Sequence, residues 1–157
     1  MIDKIARSRA RRLLKRVALG KITNFECENE FYDLFPRSSD PVIFALFRTV
    51  WGMSGDSECS LAPLFLRGSE LRKRLCRWIV FLKTDLEYEW PKERLSPGLR
   101  DICPPTWFDR LLGMISPTTW ATREFCSLGN HKVWPFLREA DFNAARLACA
   151  ERQRSAA

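Results

Sequence analysis

The clearest hydrophobic pattern in the chain runs from Ser69 to Pro91. Its first two thirds predict a helix that Ser69 caps, with Glu70 well placed near the positive end of the helix dipole. At about 100° per residue, five apolar side chains share one face of this helix: Leu71, Leu75, Trp78, Ile79 and Leu82. Apolar residues on the other faces near its end indicate a helix that enters a core.

The residues after this helix, Thr84 to Pro91, alternate between acidic and apolar side chains. The acids are Asp85, Glu87 and Glu89, and the apolar partners are Leu86, Tyr88 and Trp90. Pro91 cannot donate a backbone hydrogen bond and disfavours helix at the residue before it. An extended segment would place the three acids on one face and the apolar residues on the other. We therefore predict that the apolar side chains pack on the helix and that the acids face solvent, a basic partner or one of three arginines: Arg72, Arg74 and Arg77.

Helical patterns cover much of the remaining chain, and no convincing period-2 strand is present. The middle, residues 92–105, is rich in proline, and weak patterns predict short helices over 107–115 and 117–128. The sequence therefore predicts an all-α, compact single-domain bundle of five to seven helices with a proline-rich irregular middle. The other predicted helices and their caps are Met1–Leu19 ended by Gly20, a short helix from Thr23 or Asn24 to Leu34, Pro41–Met53 capped by Asp40, and Phe142–Gln153 capped by Asp141.

Several of these helices carry specific expectations about burial. Phe25 is predicted to belong to the core, and Thr49 to the polar side of the helix that starts at Pro41. That helix should lie beside the one that starts at Ser69. Cys76, within an apolar helix, is predicted to be a small core residue.

Composition is that of a folded domain. Apolar residues make up 46% of the 157 residues and aromatic residues 12%, which excludes a disordered chain. The net charge of +7 is concentrated at the start, since residues 1–21 contain eight basic residues and one acid. The rest of the chain is balanced. We therefore divide the chain into a basic N-terminal helix, residues 1–20, and a single α-helical domain, residues 21–154.

No pattern of catalytic or metal-binding residues stands out. The six cysteines are scattered without a C-x-x-C pair, and His131 is the single histidine. Cys126 and His131 are close enough in sequence to share a metal with Cys103 or Cys149, but that spacing is not that of a structural zinc site. We assign no catalytic residue, metal or cofactor. Free thiols, the absence of a secretory pattern and the lack of a long apolar run favour a cytoplasmic protein.

Short motifs in the second half of the chain resemble those of an uncharacterised family of small bacterial proteins. They are Leu86 to Pro91 (LEYEWP), Trp134-Pro135-Phe136 and Asp141-Phe142. The resemblance covers roughly residues 20–150 and is carried by these motifs alone. It implies a bacterial or phage-associated cytoplasmic origin and supplies no activity, ligand or site residue.

Two function classes remain. The first is a non-enzymatic protein-interaction module, with an immunity- or antitoxin-like role as one form, because the chain is rich in tryptophan and phenylalanine. Tryptophans at positions 90, 107, 120 and 134 lie in irregular segments, where exposed rings often anchor interfaces. The candidate residues for binding a protein partner are Asp85, Glu87, Tyr88, Glu89, Trp90 and Trp134.

The alternative is a nucleic-acid-binding protein that acts through the basic N-terminal helix. The candidate residues are Lys4, Arg7, Arg11, Arg12, Lys15 and Arg16. An anionic membrane surface, with the apolar stripe of this helix facing the lipid, is a further reading of the same residues. The basic side chains lie on both flanks of a narrow apolar stripe, and this arrangement disfavours a single electrostatic footprint.

Overall fold

The computed structural model describes residues 1–51, 57–65, 68–90 and 128–155. These residues form five α-helices, three short 3₁₀ segments and the turns between them. The described residues contain no strand beyond an isolated bridge between Thr23 and Ser60. The predicted all-α fold is confirmed. In chain order the helices are α1 (Lys4–Ala18), α2 (Asn24–Leu34), α3 (Pro41–Trp51), α4 (Glu70–Phe81) and α5 (Glu139–Arg154).

Helix α1 lies at the centre of the described helices and contacts α2, α3 and α4. The Asp3 side chain accepts a hydrogen bond from the Ala6 backbone N–H at 2.9 Å and so caps the first turn. The helix ends before Gly20, whose φ of +66° suits glycine. One hydrophobic core contains both buried residues of α1 and buried residues that follow position 20. Helix α1 therefore packs into the same core as the other helices.

Helix α2 begins with a capping box. The Thr23 hydroxyl accepts from the Glu26 N–H at 3.2 Å, and the Glu26 carboxylate accepts from the Thr23 N–H at 2.8 Å. Phe31 and Leu34 are buried, but the prediction that Phe25 belongs to the core is wrong, since this residue is exposed. It lies in the first turn of α2.

Helix α3 starts at the predicted cap, where Asp40 Oδ1 accepts from the Val42 N–H at 3.2 Å. Its main contacts in the described chain are with α2 and α1, so the prediction that it lies beside α4 is not borne out. Thr49 is buried, although it was predicted on the polar side. Its hydroxyl donates to the Ala45 carbonyl at 2.7 Å, which satisfies the buried oxygen within the helix itself.

Helix α4 follows the predicted cap and ends near the predicted position. Ser69 Oγ accepts from the Arg72 N–H at 3.1 Å, and the last helical residue is Phe81. Leu75 and Trp78 are buried on the face predicted for the core, and Phe81, on another face near the end of the helix, is buried as well. Cys76, one residue round the helix from Leu75, is exposed, so its predicted burial is wrong.

Helix α5 packs against α4. It starts at Glu139, with Arg138 in the N-cap position and no side-chain cap, so Asp141 lies in the first turn and does not cap the helix as predicted. None of its residues is fully buried, and Leu147 is 62% exposed. The predicted helix over 107–115 lies outside the described residues. The predicted helix over 117–128 also lies outside them, except for residue 128. Trp107 and Trp120 are likewise outside the described ranges.

Candidate functional site

The segment after α4, here called the extended segment, is not helical, and its side chains alternate in exposure as predicted. Tyr88 and Trp90 are buried, Leu86 is half-buried, and the three acids at positions 85, 87 and 89 are exposed. The Trp90 indole N–H donates to the Pro135 carbonyl at 3.0 Å. The Trp134 indole N–H donates to the Tyr88 hydroxyl at 3.3 Å. These two bonds join the segment to the turn that precedes α5.

The buried rings form one aromatic cluster on α4. The Trp78 ring lies edge-on to Trp134, with centroids 4.9 Å apart, and stacks on Tyr88 at 6.0 Å. The Trp134 ring is fully buried, and its carbonyl accepts from the Arg77 Nε at 3.2 Å. Tyr88 and Trp90 are buried as the alternation predicts, and neither these two rings nor that of Trp134 is accessible as an interface anchor for a protein partner. Hydrophobic burial against α4 outweighs exposure for all three.

The acids of the segment remain at the surface. Asp85 forms an exposed ion pair with Lys4 at 3.0 Å, and Glu89 lies 3.5 Å from Arg138. The sequence predicted that Glu87 or Glu89 pairs with an arginine of α4. Glu89 instead lies near Arg138, at the start of α5. The sequence identified the acids correctly as a solvent-facing row, but two of them already have basic neighbours within the chain.

The side chains of α1 fall into two arcs. The buried arc consists of Ala6, Arg7, Ala10, Leu13, Leu14 and Val17. The opposite arc contains no acidic residue and includes Lys4, Arg9, Arg11, Arg12, Lys15 and Arg16, all of them exposed except Arg11, which is half-buried at its edge. We call these six residues the basic face of α1. Because Leu14 and Arg7 are buried, the arc of α1 that faces the core is wider than a narrow apolar stripe. The exposed basic side chains of the two predicted flanks therefore share the remaining surface.

Arg7 does not belong to this surface, and its prediction as a nucleic-acid contact is wrong. Its side chain is 2% exposed. The guanidinium donates to both carboxylate oxygens of Asp40, at 2.6 and 3.2 Å, and to the Thr84 carbonyl at 2.9 Å. It also lies over the Phe81 ring, 5.5 Å from its centroid. This buried charge pair joins α1, the start of α3 and the extended segment.

One edge of the basic face of α1 borders acids of α2. A cleft of about 390 Å³ between the helices is lined by Arg9, Arg12, Arg16, Glu30 and Asp33 among others. Arg16 pairs with Glu30 at 2.5 Å. The other edge, with Lys4, Arg11 and Lys15, is turned away from those acids. Arg9 was not among the predicted contacts, although its spacing of three residues from Arg12 was a signal for a shared face.

The same arrangement opposes the membrane reading of α1. That reading requires the apolar stripe of the helix to face lipid, but the stripe is buried in the core against neighbouring helices. In the described residues, no helix combines the length and the apolar character needed to cross a bilayer.

Thiols and potential metal ligands are dispersed in the described chain. Cys27 is buried, and burial raises the pKa of its thiol to about 12. Cys59 and Cys76 are exposed free thiols. Among residues 1–51, 57–65, 68–90 and 128–155, no three histidine, cysteine or acidic side chains are placed to hold a metal ion. Cys103 and Cys126, considered as ligands above, lie outside these ranges.

Comparisons of the chain with models of known protein families, with curated proteins and with solved structures find no match. Its function must therefore be inferred from the geometry of its own residues. Among the two predicted sites, the basic face of α1 is exposed, whereas the aromatic half of the partner-binding site is buried.

Proposed function

We propose that this protein binds nucleic acid through phosphate contacts made by the basic face of α1. The single observation that supports this most is the geometry of the exposed arc, which gathers six basic side chains and no acid on one helix surface. The side chains of Arg9, Arg12 and Lys15 make no hydrogen bond or ion pair within the described residues. Their charges are therefore available to phosphates without first breaking an internal pair.

The dimensions of this surface suit a duplex. Lys4 and Arg16 are twelve residues apart, which corresponds to about 18 Å along the helix axis. Duplex DNA carries one negative charge per about 1.7 Å of its axis, so several phosphates lie within this length. Neutralising them releases condensed counterions, which is the main source of affinity for proteins that bind without sequence preference.

The surroundings of α1 favour one direction of approach. Glu30 and Asp33 of α2 would repel phosphates at the edge near Arg9 and Arg16. The edge with Arg11 and Lys15 has no such acids from α2. We therefore expect the backbone of the nucleic acid to follow the side of the helix that carries Arg11 and Lys15, with Arg12 at its border with the acid-lined cleft. Contacts of this kind position phosphates and do not read bases.

The proposal is tested by removing two exposed charges, that of Lys15 from the favoured edge and that of Arg12 from its border with the cleft. The Arg12→Gln/Lys15→Gln variant should bind a mixed-sequence duplex of about 30 base pairs roughly 10- to 100-fold more weakly than the wild type at low salt. Fluorescence anisotropy of a labelled duplex measures this. Both side chains are exposed, so stability should be unchanged.

The matched control is Arg152→Gln/Arg154→Gln, which removes the same charge from exposed residues in the last turn of α5. We expect this variant to bind the duplex within about twofold of the wild type. Equal losses for both variants would mean that net charge alone governs binding and would contradict a site on α1. No binding by the wild type at low salt would also contradict it.

A second candidate function is protein binding, which was the first hypothesis from the sequence. The observation that favours it is the row of exposed carboxylates at positions 85, 87 and 89, which alternate with the half-buried Leu86 and the buried Tyr88 and Trp90. Such a row suits a basic protein partner. Without accessible aromatic anchors it offers charge and little apolar area, so we rank it below the basic face of α1.

The setting of the protein is part of the same proposal. We place it in the cytoplasm of a bacterium. The free thiols of the described cysteines support a reducing compartment, and the LEYEWP motif supports a bacterial source.

A further inference from the structure

A cavity of about 550 Å³ lies between α4 and α5, away from the basic face of α1. Five residues of α4 share the face that lines it: Arg72, Lys73, Cys76, Arg77 and Val80. Phe142 and Arg146, one turn apart on α5, form the opposite wall, and Gly68 lies at the end of the cavity. The volume is within the range of about 300–1,000 Å³ that is typical of pockets for small ligands.

The charge in this cavity has one sign. Four of its lining residues are basic, and none of the described lining residues is acidic. Lys73 is bonded to Glu70, which lies outside the lining, at 2.6 Å, and this bond lowers the pKa of Glu70. Within the described chain no carboxylate pairs with Arg77 or Arg146. Charges of one sign around a cleft with apolar walls concentrate the field on an ion of the opposite sign.

Arg77 is held in place for such a role. It is half-buried, and its Nε donates to the Trp134 carbonyl at 3.2 Å, which leaves the two terminal nitrogens of the guanidinium for another acceptor. Burial lowers the pKa of Arg77, and the positive charge of Arg74 acts in the same direction, whereas Glu70 raises it. An anion beside this guanidinium would offset both the burial and the repulsion.

The cavity also has an apolar part beside these cationic side chains. Val80 and Phe142 line it, and the Arg146 guanidinium lies over the Phe142 ring, 6.0 Å from the centroid. Phe142 in turn contacts Phe136 of the buried aromatic cluster, with centroids 5.4 Å apart. The cavity therefore has a fixed apolar wall and cationic side chains that converge on the same space.

We propose that this cavity binds a small organic anion, a phosphate or carboxylate group carried on a flat apolar body. Lys73, Arg77 and Arg146 hold the anionic group by charge-assisted hydrogen bonds, and the apolar body lies between Val80 and Phe142. The site is distinct from the proposed nucleic-acid surface and does not depend on it.

Cys76 provides the test, because its exposed thiol lines the cavity. The full-length protein is treated with iodoacetamide, and alkylation of each cysteine is followed by peptide mass spectrometry. The probes are phenyl phosphate, benzoate and inorganic phosphate, with sodium chloride at matched ionic strength. Saturating phenyl phosphate should slow alkylation of Cys76 by about fivefold or more, because a bound ligand restricts access to the thiol. Cys59, exposed but outside the cavity lining, is the internal control and should react at an unchanged rate.

The probes and variants define the site further. Inorganic phosphate lacks the apolar body and should need a concentration about tenfold higher for half-protection. Benzoate that protects better than phenyl phosphate would assign the natural anion as a carboxylate, and the reverse as a phosphate. Arg146→Met should raise the half-protecting concentration of phenyl phosphate about tenfold, whereas Arg152→Met, on the same helix outside the cavity lining, should not change it.

Three results would overturn the proposal. One is the absence of protection by all three probes at about 10 mM, a concentration that would detect even weak binding. Another is equal slowing at Cys59 and Cys76. The third is protection that Arg146→Met leaves unchanged. The Arg12→Gln/Lys15→Gln variant should retain full protection, which separates failure of this site from failure of nucleic-acid binding.

Discussion

Replacement of Trp90 by alanine is expected to lower the free energy of unfolding by about 3–5 kcal/mol. The ring is 2% exposed and fills the space between the extended segment and the turn before α5. Its loss removes apolar burial and leaves a cavity, and it also deprives the Pro135 carbonyl of its indole donor. Urea denaturation followed by far-UV circular dichroism measures the change.

Glu89→Gln, at the neighbouring position, is the matched control for Trp90→Ala. Glu89 faces solvent and its contact with Arg138 is long and exposed. Its replacement should change stability by less than about 0.5 kcal/mol. If Trp90→Ala were as mild as Glu89→Gln, the ring would not be packed in the core, and the burial of the whole segment would be wrong.

Asp40→Asn is expected to cost about 3–5 kcal/mol, an effect as large as that of the Trp90 change. Asn keeps the size of the side chain and an oxygen that can accept from the Val42 N–H. It removes the negative charge that Arg7 contacts at 2.6 Å in a fully buried site. The Arg7 guanidinium would then be buried without a counter-charge, which is the costly outcome for a broken buried pair.

Glu30→Gln provides the comparison for this buried pair, because Glu30 pairs with Arg16 at the surface. Its loss should cost less than about 1 kcal/mol, since water solvates both groups when the pair is broken. Thermal and urea denaturation of both variants at neutral pH give the two values. Similar losses for Asp40→Asn and Glu30→Gln would show that the Arg7 pair is hydrated and not part of the core.

The features that the sequence predicted best were those with complete local signals. Ser69 predicted the start of α4, and Pro91 excluded helix at the end of the extended segment. The period-2 alternation within that segment then left one arrangement that buries Tyr88 and Trp90. Each signal lies within a few residues of the structure that it determines. The same holds for Asp40, whose position directly before Pro41 predicted the start of α3.

The features that the sequence did not predict depend on contacts between distant residues. Arg7 has its partner 33 residues away at Asp40, and no local pattern distinguishes it from the exposed arginines of α1. Cys76 follows Leu75 in an apolar stretch, but its exposure depends on how α5 lies against α4. The sequence predicts a start of α5 that is too late, because Asp141 matches a cap, whereas the helix begins at Glu139.

The candidate site shows the same division. Composition located the basic residues in α1, but the width of the buried arc decides whether they form one surface or two. Leu14 and Arg7 both lie in the buried arc, although the sequence predicts Arg7 as a nucleic-acid contact. Once both are buried, the remaining basic residues share one face, and Arg9 joins it.

The salt dependence of duplex binding tests the proposed function most directly. If the basic face of α1 contacts phosphates, the logarithm of the association constant should fall linearly with the logarithm of salt concentration, with a slope of about −3 to −5. The Arg12→Gln/Lys15→Gln variant should reduce the magnitude of that slope by about 2, because each lost contact contributes about 0.9. A slope near zero for the wild type, or the same slope for the wild type and the variant, would contradict binding through α1.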